Sequence, residues 1–158
     1  MIEKVEKLVQ TLAEMEMTIS TAESCTGGML ASKIIDVSGA SDVFSEGFIT
    51  YSNSAKSKHL NVSNETLEEY GAVSEQTVIE MARGCKQATD SDMSLVTSGI
   101  AGPGGGTPEK PVGLVYIACA YKDNVTAKSF RFDGDRFGVR SQAVDEAINM
   151  ALYMLENH

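Results

Sequence analysis

The spacing of apolar residues switches repeatedly between a helical and an extended period, and this alternation limits the fold more than any single motif. Ile2, Val5, Leu8, Val9, Leu12 and Met15 recur at intervals of three and four, the mark of an amphipathic helix. Residues 17–21 (MTIST) then read as a short strand, and after the polar segment 22–28 the helical spacing returns with Met29, Leu30, Ile34 and Ile35. Residues 44–52 (FSEGFITYS) have the β-branched and aromatic content of a strand, and the polar residues 53–59 behind them read as a loop. Helices are expected over 63–70 and 74–88. The second opens on Ser74 with Glu75 in its first turn, where a capping hydroxyl and a negative charge are favourable. A buried strand is expected over 92–100 (DMSLVTSGI), then a strand pair over 112–121 and 126–132 joined near Lys122, Asp123 and Asn124. A final helix carries Val139, Ala143, Ala147, Met150, Ala151 and Met154. The order α-β-α-β-α-α-β-β-β-α predicts an α/β domain with a mixed β-sheet covered on both faces.

Composition narrows what such a domain can do. The 158 residues suffice for one domain, expected over 1–158, that buries roughly 70% of its unfolded surface. Thirteen Lys and Arg against 22 Asp and Glu give a net charge of −9, which disfavours a partner such as nucleic acid or an anionic membrane. A small anion held by two or three local cations stays compatible with that balance. No run approaches the length of a membrane span, and residues 1–16 lack a cleavable signal pattern. Cys25, Cys85 and Cys119 form an odd set without CxxC spacing, which argues against a disulfide framework or a cysteine zinc site and makes a cytoplasmic location the expectation. With His59 and His158 the only histidines, HExxH and three-His metal sites are impossible, and a Ser-His-Asp triad would rest on His59 alone. Glu23, Asp36 and Glu46 have no convincing ligand spacing, so no metal is expected.

Three polar segments follow expected strands: TAESCTGG, TYSNSAK and TSGIAGPGGG. Ligands of open α/β sheets bind in the crevice beyond the carboxyl ends of strands, so these segments are where a site belongs. Ser24 sits on a strand-to-helix turn just before Gly27 and Gly28. Free backbone N–H groups at such a helix start suit a phosphate or a developing oxyanion. A helix cap from Ser24 or Thr26, with the glycines shaping the turn, fits equally well. The segment is not GxSxG, and Cys25 is a rival nucleophile that also reads as a small buried hydrophobe.

Lys56 and Lys58 follow the second strand. A lysine serves as general base only when neutral, which requires lowering a reference pKa of about 10.4 by about three units through burial or a neighbouring cation. The plain alternative is a solvated lysine in a polar loop. There is no SxxK, so any serine–lysine partnership is long-range. Residues 99–111 (GIAGPGGGTPEKP) hold five glycines and three prolines in 13 residues, yet match neither GxGxxG nor GxxxxGK[ST]. They read as a close-approach ligand loop or a shaped surface loop. Arg136 and Arg140 stand four apart at the start of the last helix, as a phosphate grip or a solvated pair.

Taken together, TAESCTGG at 21–28, GxxTYSNxAK at 47–56, YGAVS at 70–74, SGIAGPGGGTPEKPVG at 98–113 and FxGDRxxVR at 132–140 strongly resemble the CinA C-terminal domain family, which includes stand-alone nicotinamide-nucleotide amidohydrolases. The likeness runs from about residue 5 to 155, and the chain reads as the single-domain form. The resemblance implies a three-layer α/β/α fold, a homo-oligomer, no cofactor, and deamidation of nicotinamide mononucleotide to nicotinic acid mononucleotide and ammonia. By the same resemblance Ser24 is the nucleophile, Lys56 the base and Tyr51 close to both. Glu23, Thr26, Gly27, Gly28, Asn53, Thr97, Ser98, Gly99, Gly102, Arg136 and Arg140 surround the substrate on this reading, with the oxyanion on amides near 26–28 or Gly99 and the phosphate on Arg136 or Arg140. One position departs from the pattern: Ser98 stands where the family has threonine before Gly-Ile-Ala-Gly-Pro. A relative with another amide as substrate, or a binding module without turnover, are the competing readings.

Overall fold

The extended segments pair into one sheet. A computed structural model, describing residues 1–158, gives α1 (Ile2–Glu14), β1 (Ile19–Glu23), α2 (Met29–Ile35), β2 (Phe44–Ile49), α3 (Asn53–Leu60), α4 (Asn64–Tyr70), α5 (Glu75–Thr89), β3 (Met93–Gly99), β4 (Leu114–Tyr121), β5 (Asn124–Arg131) and α6 (Arg136–Asn157). A short 3-10 turn at Ala40–Asp42 precedes β2. Strand order is β2-β1-β3-β4-β5; β1 runs parallel to β2 and β3, and β4 and β5 continue antiparallel. The sheet is therefore mixed, as expected, and helices cover both of its faces. No helix is long and apolar enough to cross a membrane.

Period-two alternation divides the central strands between two cores. Leu95, Ile117, Cys119 and Tyr121 point into a cluster of 25 buried residues with α1, α2 and α6. Val96, Ala118 and Ala120 point the other way, into a cluster of 11 with α3, α4 and α5. The interior strand β1 is buried along its whole length, whereas the edge strands β2 and β5 are exposed or half-buried. This is the burial that a sheet covered on both faces requires.

The connections position the site. The chain leaves β1 through α2 to reach β2 on one side, then returns through α3, α4 and α5 to β3 on the other side of β1. A crevice thus opens beyond the carboxyl ends of β1, β2 and β3.

One expectation is corrected. Residues 53–59 are not a loop but most of α3, whose N-cap Ser52 accepts the Ala55 N–H through its side chain. Its buried residues are only Lys56 and Leu60, one turn apart on the same face. A helix that packs on one lysine and one leucine leaves no amphipathic signal.

Helix α3 is seated on α5 at Gly84. A Cβ there would lie 1.7 Å from the backbone carbonyl oxygen of Leu60, so the contact is made by two backbones and cannot be relieved by a rotamer change. Gly84→Ala is expected to lower the melting temperature by about 10 °C, from an overpacking cost of about 3 kcal/mol; thermal denaturation followed by circular dichroism measures it.

Candidate active site

β1 ends at Glu23, and the turn 24–28 carries the chain into α2. Gly28 is the N-cap of α2 and has no side chain to cap with. Glu23 does that work from the strand: its Oε1 accepts from Leu30 N at 2.8 Å and its Oε2 from Ala31 N at 3.1 Å. Thr26 Oγ1 donates to Glu23 Oε1 at 2.6 Å and shares a 2.8 Å contact with Thr97 Oγ1. A buried carboxylate at a helix N-terminus is well placed electrostatically. Together with the bond from Ser24 N to Thr97 O at 3.0 Å, this network fixes the turn that holds Ser24.

From the far side α6 grips the same turn. Arg140 Nε donates to Cys25 O and its Nη2 to Thr26 O, both at 2.9 Å. Gly27 uses its N–H on Ser24 O, whereas the N–H groups of Cys25 and Thr26, next after Ser24, have no acceptor in the chain.

The parallel pairing of β1 with β2 brings their carboxyl ends side by side, with Thr50 N bonded to Glu23 O at 2.9 Å. In the second turn of α3, Lys56 reaches back over this edge. Its Nζ lies 2.7 Å from Thr50 O and 3.0 Å from Ser24 Oγ. Lys56 is fully buried and has no carboxylate partner, and desolvation lowers its pKa to about 8. Burial pushes the neighbouring Cys25 thiol up to about 11, so it is uncharged at neutral pH and offers the lysine no counter-charge.

Ser24 and Lys56 open onto a cleft of about 280 Å3. Its walls come from all three polar segments: Cys25 after β1, Tyr51 after β2, and Ser98, Gly99 and Gly102 at and beyond the end of β3. Arg136 closes one side, donating through Nη1 to Gly102 O at 3.0 Å and through Nη2 to the Tyr51 hydroxyl at 3.2 Å. Lys56 and Arg136 are the only charged side chains in the lining, and neither is acidic.

The expected site residues therefore separate into two groups. Ser24, Lys56, Tyr51, Ser98, Gly99, Gly102 and Arg136 border the cleft. Glu23, Thr26, Gly27, Gly28, Asn53, Thr97 and Arg140 do not. Glu23, Thr26, Thr97 and Arg140 have their polar groups committed to the scaffold, so the expected grip of Arg140 on a phosphate gives way to a grip on the carbonyls behind Ser24. Asn53 is exposed at the start of α3. The Tyr51 hydroxyl bonds Arg136 rather than Ser24 or Lys56.

Sequence reasoning missed the opposite wall, Ala72 and Val73, together with Ile100 and Ala101. Ala72 is tied in by Ser98 Oγ, which donates to its carbonyl at 2.9 Å. The Ser98 hydroxyl thus supports the wall. The motif YGAVS could have flagged these residues, but small apolar side chains carry no chemistry of their own.

Comparison with known proteins gives consistent matches. The family model of the CinA C-terminal domain matches residues 2–155. A protein from Clostridium beijerinckii, named as competence-damage inducible, is 52% identical over 145 residues, which are 92% of this chain and 35% of that protein. A CinA-like protein from Kosmotoga olearia is 51% identical, over 91% of this chain and 35% of its own length. The chain thus spans about a third of these curated relatives. Among solved structures, a competence/damage inducible protein from Agrobacterium tumefaciens superposes with a TM-score of 0.95 at 39% identity, covering 99% of this chain and 95% of that one. A CinA superfamily protein from Escherichia coli gives 0.94 at 37% identity, with 98% and 90% covered. The network around Ser24 and Lys56 is thus built on the fold of these proteins, and the chain belongs to the CinA C-terminal domain family.

Proposed function

We propose that the chain is a serine–lysine amidohydrolase that deamidates nicotinamide mononucleotide to nicotinic acid mononucleotide and ammonia. The observation that carries this reading is the 3.0 Å approach of Lys56 Nζ to Ser24 Oγ at the floor of a cleft, with the lysine buried and without a counter-ion. A neutral amine there has a lone pair for the serine proton while it continues to donate to Thr50 O.

Ser24 Oγ attacks the carboxamide carbon as its proton passes to Lys56 Nζ. The oxyanion takes the unclaimed amide of Cys25, which borders the cleft, a contribution on the order of 3 kcal/mol. Lys56 then protonates the amide nitrogen, the C–N bond breaks and ammonia leaves an acyl ester on Ser24. Water loses a proton to Lys56 and attacks the ester; the C–O bond breaks, and Ser24 regains its proton from the lysine. Arg136 is the cation available to a phosphate, and the absence of acidic side chains from the lining favours an anionic substrate.

Three outcomes test this reading. Ser24→Ala is expected to lower ammonia release from nicotinamide mononucleotide at least about a thousandfold with an unchanged melting temperature. A folded Ser24→Ala protein at the wild-type rate would refute the nucleophile.

The base must be deprotonated, so kcat/KM is expected to rise about tenfold per pH unit below pH 8 and to level off above it, as Lys56 titrates at about 8. A rate that is flat from pH 6 to 9 contradicts the assignment.

The third outcome concerns stability. Below pH 8 Lys56 is charged in both the folded and the unfolded chain, and its burial costs about 3 kcal/mol. Between about 8 and 10.4 only the unfolded chain holds the proton, so stability rises with pH and the penalty is relieved. Lys56→Met, which abolishes activity, is expected to raise the melting temperature at pH 7 by about 3 °C after loss of two hydrogen bonds of about 1 kcal/mol each. That gain is expected to vanish near about pH 9.

A further inference from the structure

The cleft has two walls that no β-ladder joins: residues 72–73, which follow α4, and residues 100–105, which follow β3. Lys110, outside the cleft, connects them. Its Nζ donates to Tyr70 O, at the last residue of α4. An ammonium is favoured at a helix C-terminus, where the carbonyls have no partner within the helix. Gly71 leaves the path open, since a Cβ there would lie 3.1 Å from Lys110 Nζ.

The lysine is itself held in place. Thr107 N bonds Lys110 O at 2.8 Å and Lys110 N bonds Thr107 Oγ1 at 3.0 Å, so residues 107–110 form a closed turn. From there the constraint passes to the cleft through Val112, packed so closely on Gly102 that a Cβ on the glycine would sit 2.4 Å from Val112 Cγ1. Gly102 in turn offers its carbonyl to Arg136. The latch therefore joins the α4 end, the glycine-rich loop and the one cation available to a substrate anion.

We propose that Lys110 is a positioning residue that sets the width of the cleft by fastening the glycine-rich loop to the end of α4, and so governs substrate affinity rather than the chemical step. The kinetic part rests on the deamidase reading above; the structural part does not. Lys110 touches neither Ser24 nor Lys56, so its loss leaves the proton-transfer pair intact.

The test compares wild type, Lys110→Met and Lys110→Arg. In Lys110→Met, KM for nicotinamide mononucleotide is expected to rise about tenfold, the worth of one charge-assisted hydrogen bond, with kcat within about twofold. Arginine, which keeps a donor and the charge, restores KM. In the absence of substrate, 15N relaxation is expected to show the order parameters of Gly102, Gly104 and Gly105 falling from rigid values of about 0.85 to below about 0.6 in Lys110→Met, and recovering in Lys110→Arg. Unchanged order parameters in Lys110→Met overturn the latch whatever the chain hydrolyses. A loosened loop with an unchanged KM overturns its role in affinity. A wild-type protein inert towards the nucleotide refutes the deamidase reading, while the relaxation comparison still decides the latch.

Discussion

Burial of the Lys56 amine without a carboxylate to neutralise it is the constraint around which the site is organised. A solvated lysine is almost wholly protonated at neutral pH and donates hydrogen bonds only. Under α3, with one backbone carbonyl and one serine hydroxyl as partners, the same side chain exchanges its proton far more readily. The protein carries a standing stability penalty for this arrangement, and the sheet and its two helical layers must be firm enough to hold it. Strain of this kind is a common trait of sites that do proton chemistry.

The parallel pairing of β1 and β2 makes the arrangement possible. Residues far apart in sequence but at equivalent ends of neighbouring strands are brought together by the ladder itself, so Ser24 and Thr50 meet without any long-range loop. α3 then needs less than two turns to return Lys56 over the same edge. Around this pair most polar side chains do not face the cleft. Glu23, Thr26, Thr97 and Arg140 stiffen the turn below Ser24, each using its polar atoms on backbone or on one another. The result is a serine hydroxyl whose position is overdetermined from both the sheet and α6.

Much of this was legible in the sequence, for reasons that differ by residue. Apolar periodicity located α1 and α2, a capping serine with an acidic first turn marked α5, and runs with the content of strands placed the sheet to within a few residues. A β-rich run followed by polar residues and two glycines marked the turn at Ser24. Lys56 was found through the motif around it, but its burial was not, because the seat of α3 depends on the backbone of Leu60 meeting Gly84 of another helix. Arg140 and Glu23 have the chemistry of ligand-binding residues; only the tertiary structure shows that carbonyls and helix amides already occupy them. The wall at Ala72 and Val73 was silent, since its contribution is shape.

The two cores flanking the sheet are unequal, 25 residues against 11. Ser24 leads into the helical layer of the thicker core, and Lys56 belongs to the thinner one. Local opening takes the least free energy where the fewest apolar contacts must be broken. On gentle heating, the layer carrying the amine is therefore the first to lift, parting Lys56 from Ser24 while the strands stay zipped. Their separation would then precede unfolding of the sheet, and cooling would bring the two side chains back together.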